Sequence, residues 1–139
     1  MTTVRVPGVV MHMRLRVSMV DVDLEQINFC TYFRWMDIAY TQMLVDLGHP
    51  LSELLATGIS TPIVNARCSY RIPVGLDDLL DIRSWISDIG RSSYQVNHEF
   101  SRAKEVVAKG AVKHVWITRD PPQPVEVPTW LRDAGGFSS

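Results

Sequence analysis

No apolar run in this chain approaches the roughly 18–20 residues that a membrane-spanning helix requires. The apolar stretch Val9 to Met11 is too short for the core of a signal peptide. Cysteine is scarce: Cys30 and Cys68 show neither a C-x-x-C pattern nor the spacing of metal ligands. A disulfide framework and a metal centre are therefore not expected, and a reduced, cytoplasmic setting is. Charge imbalance is also lacking. The formal net charge is −1, so neither nucleic acid nor an anionic membrane is an expected partner. No repeat at solenoid period appears.

What is present suits one domain of 139 residues with a real hydrophobic core. We expect it to span 13–130, with 1–12 and 131–139 as flexible termini. Met13 to Val20 alternates Leu15, Val17 and Met19 with Arg14, Arg16 and Ser18, the period of a half-buried strand. The period then changes. Phe29, Phe33, Met36, Tyr40, Met43 and Leu47 step by three or four, placing an apolar stripe on a helix from Phe29 to Leu47. Asn28 is its expected N-cap, Gly48 its left-handed stop, and Pro50 blocks continuation. A short helical turn is expected over Leu51 to Ala56.

From Ile63 the period returns to two. Strands are expected over Ile63 to Ile72, Leu79 to Asp88, Ser93 to Arg102 and Val106 to Thr118. Turns at Pro73-Val74-Gly75, Gly90-Arg91 and Ala103-Lys104-Glu105 separate them, and Asp120-Pro121-Pro122 ends the last. Links of hairpin length imply antiparallel neighbours. The fold class is therefore α+β: one long helix wrapped by a curved antiparallel sheet of about five strands. Trp85 and Val107 read as apolar groups on the sheet's other face, where a second subunit can cover them.

Val20-Asp21-Val22-Asp23-Leu24-Glu25 leads into the helix and holds three acids. A helix N-terminus carries orphan N–H donors and about half a positive charge. A carboxylate beside such donors can attack or activate water while the donors hold a developing oxyanion. The structural alternative is common: acids precede helices because the dipole favours them. Asp21 reads as a solvated acid, and Glu25 as a reserve for Asp23. His98 reads as a core or interface histidine, His49 as dipole compensation at a helix end, and Cys30 as packing. His12 and His114 have no identifiable partner.

Several segments carry a family resemblance. They are Val20-Asp21-Val22-Asp23, Tyr32-Phe33-Arg34-Trp35-Met36-Asp37, Thr61-Pro62-Ile63-Val64, Asp77-Asp78-Leu79-Leu80, Arg91-Ser92-Ser93-Tyr94 and Pro124-Val125-Glu126-Val127-Pro128. In this order the chain resembles the 4-hydroxybenzoyl-CoA thioesterase group of the hot-dog fold, from Arg16 to about Pro128. The resemblance implies a homodimer or homotetramer with active sites shared between subunits. It implies Asp23 as nucleophile or general base, and the backbone N–H of Phe29 or Asn28 as oxyanion donor. Asp37, Thr61 and Tyr32 match substrate-binding positions, and Arg91, Ser92 and Ser93 match a coenzyme A phosphate site. Gln26 stands where relatives have glycine, and the turn is one residue shorter.

The function that follows is hydrolysis of an acyl-CoA thioester, with a hydroxybenzoyl-like aromatic group as the leading substrate. Coenzyme A enters as part of that substrate, and no other cofactor is implied. Release of a polyketide-type chain from an acyl carrier protein is the first alternative. A non-hydrolytic hot-dog ligand-binding protein is the second.

Overall fold

The computed structural model describes residues 5–6, 8–23, 26–27 and 29–138, with backbone alone for 5, 6, 23, 26, 27, 137 and 138. The main strands are β1 (Met11–Arg16), β2 (Ile63–Tyr70), β3 (Leu79–Ser87), β4 (Ser93–Arg102) and β5 (Glu105–Val115). The helices are α1 (Cys30–Asp46), α2 (Leu51–Ala56) and α3 (Thr129–Ala134). One five-stranded sheet runs in the order β1-β3-β4-β5-β2, every neighbour antiparallel.

That order corrects one link. The segment between β2 and β3 is not a hairpin turn. β2 pairs with β5 at one edge, and β3 pairs with β1 near the other. The Pro73–Asp78 segment therefore crosses the sheet. Val107 holds its start by accepting from the N–H groups of Arg71 and Ile72, and Val17 holds its end by exchanging hydrogen bonds with Asp77 and Asp78. A period of two reveals strands but not which strands pair.

Alternation decides the faces. Along β3, Leu80, Ile82, Ser84 and Ile86 are buried, and along β4 so are Tyr94, Val96, His98 and Phe100. α1 lies over this face along β5. Tyr32 meets Phe100 and Tyr70, Met36 stands over Gly110, and Tyr40 stacks on His114. Gly110 permits that approach: a Cβ there would lie 2.2 Å from the Met36 sulfur. Val107 is buried in the core rather than on the outer face, because the β4–β5 ladder shifts register between Phe100 and Ser101. Trp85 does face outward, with the Arg83 guanidinium 5.9 Å from its ring centre.

Packed residues extend past the expected boundaries. β1 begins at Met11, and Leu131 and Ala134 of α3 are buried. The N–H of Val9 donates to the Ala134 carbonyl at 2.8 Å. Gly48 ends α1 in the left-handed region, φ 84°, as expected.

The β4–β5 hairpin turns on Ala103 and Lys104, with φ of 50° and 69°. Two positive φ angles mark a type I′ turn, which favours Asn-Gly. Replacing this pair by Asn-Gly should stabilise the domain by about 1 kcal/mol. Thermal unfolding should rise by roughly 2–4 °C; an unchanged or lower midpoint would refute the strain.

Candidate functional site

The site begins at the loop between β1 and α1. Met19–Asp21 forms one turn of 3₁₀ helix. Asp21 is 2% exposed. Its carboxylate accepts from the Ser18 N–H at 2.8 Å and the Ser18 hydroxyl at 3.2 Å, and pairs with Arg34 of α1. The solvated reading of Asp21 is thus corrected: this acid anchors the turn to the helix. The chain then doubles back, with Val22 opposite Ile27 and Asp23 opposite Gln26. This short ladder brings the Asp23 backbone alongside the segment that enters α1. The Asp23 side chain, Leu24, Glu25 and Asn28 lie outside the described residues.

Phe29 occupies the position before the first helical residue, already in helical conformation, where backbone N–H groups find no acceptor within the helix. Its ring is exposed, and its carbonyl accepts from the Tyr70 hydroxyl at 3.2 Å. Tyr32 sits differently from its expected place against substrate. It is buried in the core, edge-on to Trp35 and Phe100. Burial and the neighbouring Cys68 and Tyr70 push its phenol up to about 12.

Two turns into α1, Asp37 is exposed. Next to it lies a polar cluster that the sequence did not reveal. The Tyr40 hydroxyl donates to Thr61 Oγ1 at 3.0 Å and lies 2.5 Å from the Tyr94 hydroxyl. His114 lies with its ring centre 4.1 Å from that of Tyr40, and its Nδ1 donates to the Thr61 carbonyl at 2.9 Å. That bond fixes the Nδ1–H tautomer, and burial lowers the ring's proton affinity. His98 bonds the Ser84 hydroxyl at 2.7 Å, and burial together with His114 brings its pKa down to about 3. Both imidazoles are buried and neutral near pH 7. His49 stacks on Trp130, ring centres 4.0 Å apart.

At the far end of α1, the Arg91–Ser92 bend connects β3 to β4. The Arg91 carbonyl accepts from the Val127 N–H at 2.7 Å, Ser92 accepts from the Trp116 N–H at 2.7 Å, and Ser93 accepts from the Gly90 N–H at 2.8 Å. Among the described residues the Arg91 guanidinium has no polar partner, and the residue is exposed. Arg132, which lies in the expected flexible tail, donates to the Gly90 and Arg91 carbonyls at 2.9 and 3.2 Å. A second guanidinium therefore stands at this turn. Among the described residues no cluster of His, Cys, Asp and Glu could hold a metal ion, and no helix is long and apolar enough to cross a membrane.

Comparison with known proteins agrees with this architecture. The family model described as the thioesterase-like superfamily matches residues 11–135. A putative esterase of Aquifex aeolicus is 26% identical over 105 residues, covering 75% of this chain and 82% of its own. The 4-hydroxybenzoyl-CoA thioesterase of Pseudomonas sp. (strain CBS-3) is 32% identical over 94 residues, covering 65% and 67%. A solved gentisyl-coenzyme A thioesterase superposes with a TM-score of 0.78 at 32% identity, covering 88% of this chain and 98% of that one. The hot-dog expectation holds.

Proposed function

The chain belongs to the thioesterase-like superfamily, and from that premise we propose that it hydrolyses an acyl-CoA thioester through Asp23, with a hydroxylated aromatic acyl group as substrate. The observation that carries the assignment is the ladder that folds Val22–Asp23 onto Gln26–Ile27, directly before α1. It brings the Asp23 backbone alongside the segment that enters α1, whose unused amides can polarise a carbonyl. The N–H at Phe29 or Asn28 takes the developing oxyanion. The Asp23 carboxylate either attacks the thioester carbon, giving an anhydride that water opens, or takes a proton from the attacking water. In both routes the C–S bond breaks and the coenzyme A thiolate leaves with its electron pair.

Asp37 supports the aromatic reading. It lies eight positions after Phe29, about 12 Å along the helix. One ring with a hydrogen bond at each end fits such a span. Nothing in the replacement of glycine by Gln26 conflicts with the turn, since Gln26 takes part in the ladder as ordinary strand.

The coenzyme A contact requires a second subunit. Phe29 lies at the Tyr70 end of β2 and the Arg91 turn lies near the Ile63 end, where Ser93, Val115 and Trp116 meet. One protomer therefore holds the two halves of the site at opposite ends of α1. β2 is an edge strand, exposed almost throughout. Antiparallel pairing of two such edges places the Arg91 turn of one protomer beside the Phe29 end of the other, and satisfies the bare edge. A homodimer is the smallest complete unit.

The test is release of free thiol from benzoyl-, 4-hydroxybenzoyl- and aliphatic acyl-CoAs, and from the same acyl groups on a carrier protein. Turnover of the hydroxylated aromatic CoA ester above the rest supports the reading; preference for the carrier-bound acyl group replaces it with the carrier-protein alternative. Arg91→Ala should raise KM for the CoA ester about tenfold, the worth of one charge-assisted hydrogen bond, with a smaller change in kcat. An unchanged KM would remove Arg91 from the phosphate site.

A further inference from the structure

On the outer face of the sheet, Arg14 pairs with Asp81 at 2.9 Å, and Glu99 takes both Arg83 at 3.3 Å and Lys109 at 3.8 Å. Two cations on that face are left over. Among the described residues no carboxylate pairs with Arg67 of β2 or with Lys113 of β5. Both line one groove of about 540 Å³, together with Val64, Asn65, Gln95 and Asp88.

Arg67 is nevertheless held in place. Its Nη2 donates to Gln95 Oε1 at 3.4 Å, Gln95 Nε2 to Asn97 Oδ1 at 2.8 Å, Asn97 Nδ2 to Ser87 Oγ at 2.7 Å, and Ser87 Oγ to Asp88 Oδ2 at 3.4 Å. A guanidinium only donates and an ionised carboxylate only accepts, so the two ends fix the direction of both amides between them. Asp88, the carboxylate of the groove, stands at the far end of this chain. Arg67 spends one donor on a neutral amide and keeps its charge and its other N–H groups for the groove.

Val64, Asn65 and Arg67 belong to β2, the bare edge through which we pair two protomers. Directly opposed side chains of an antiparallel pair point to the same face. Two β2 edges that share one outer face must therefore set outward residues against outward residues, since a slip by one would turn the inner face out. The registers of this kind that match nearly the whole strand put Arg67 opposite the partner subunit's Arg67 or the partner subunit's Asn65. In both, two guanidiniums lie beside the two-fold axis, and Lys113, opposite Asn65 across β5 and β2, flanks each of them. Like charges so placed oppose the pairing. One multiply charged oxyanion removes that cost, because the guanidinium fork matches phosphate oxygens and the ammonium adds a point charge.

We propose that the outer face of the paired β2 edges is a phosphate-class anion site, built from Arg67 and Lys113 of both protomers, and that filling it strengthens the dimer. The inference rests on the edge-paired dimer given above.

The experiment titrates the full chain with inorganic phosphate and, separately, with adenosine 3′,5′-bisphosphate, at constant ionic strength. Calorimetry should count one anion per two chains. Sedimentation should show the dimer tightening about tenfold, the scale of one added charge-assisted contact. Response to phosphate identifies a free oxyanion as ligand, and response to the bisphosphate alone identifies a nucleotide phosphate; both support the site provided Arg67→Gln abolishes them. Arg67→Gln should also dimerise at least as well as wild type without anion, because the repulsion is gone, and Lys113→Gln should show a weakened response. One anion per chain, a response that survives Arg67→Gln, or a dimer indifferent to both anions overturns the site and leaves the edge pairing standing. A chain that stays monomeric with and without anion overturns the edge pairing, and the site with it.

Discussion

Asp23→Asn is expected to lower kcat for the CoA ester by about 10²–10⁴-fold, the range for a group that moves a proton or attacks in the transition state. The exchange preserves volume and removes the negative charge. An amide can neither form the anhydride nor take a proton from water. The helix amides are untouched, so substrate should still bind and KM should change little. Folding should also hold, because the exchange keeps the shape of the side chain and leaves the backbone pairing of Asp23 with Gln26 in place. Thiol release and thermal unfolding measured side by side check both halves. Full turnover in this variant would move the chemistry elsewhere, with Glu25 the next acid to replace.

The architecture was legible because its signals are local. The strand of Ser93 to Arg102 was bounded to the residue, since strict alternation buries Tyr94, Val96, His98 and Phe100 on one face. The helix emerged from its three-and-four spacing and the glycine that stops it. Strand order was not legible. The segment after Tyr70 carries Pro-Val-Gly and looks like a hairpin, yet it crosses the sheet, and no local pattern distinguishes these outcomes. The Tyr40–Tyr94–Thr61–His114 cluster was hidden for a related reason. In a periodicity argument tyrosine counts as apolar, so Tyr40 and Tyr94 served as core markers while their hydroxyls went unread. They meet because Tyr94 lies opposite His114 across β4 and β5, and α1 lays Tyr40 on that pair. Arg132 escaped notice because a glycine-rich ending suggested a loose tail, whereas Leu131 anchors α3 in the core.

Asp21→Ala should do the opposite of Asp23→Asn, lowering stability first and activity as a consequence. The Asp21 carboxylate is buried and gathers three donors: the Ser18 amide, the Ser18 hydroxyl and Arg34. Its loss frees the 3₁₀ turn from α1 and leaves the Ser18 N–H without its acceptor. A cost of about 1.5–3 kcal/mol is expected, which lowers the unfolding midpoint by roughly 5–10 °C in a domain of this size. Arg34 contributes the smaller share, because half its side chain reaches solvent and can be rehydrated. The order of destabilisation should therefore be Asp21→Ala, then Asp21→Asn, then Arg34→Ala, since asparagine still accepts from Ser18 but cannot pair with the guanidinium. If Arg34→Ala proved as damaging as Asp21→Ala, the ion pair rather than the Ser18 contacts would hold the turn. With the predicted order, two acids two residues apart have separate tasks: one fixes the loop to the helix, and the other, carried on that loop, is the acid we propose for the thioester chemistry.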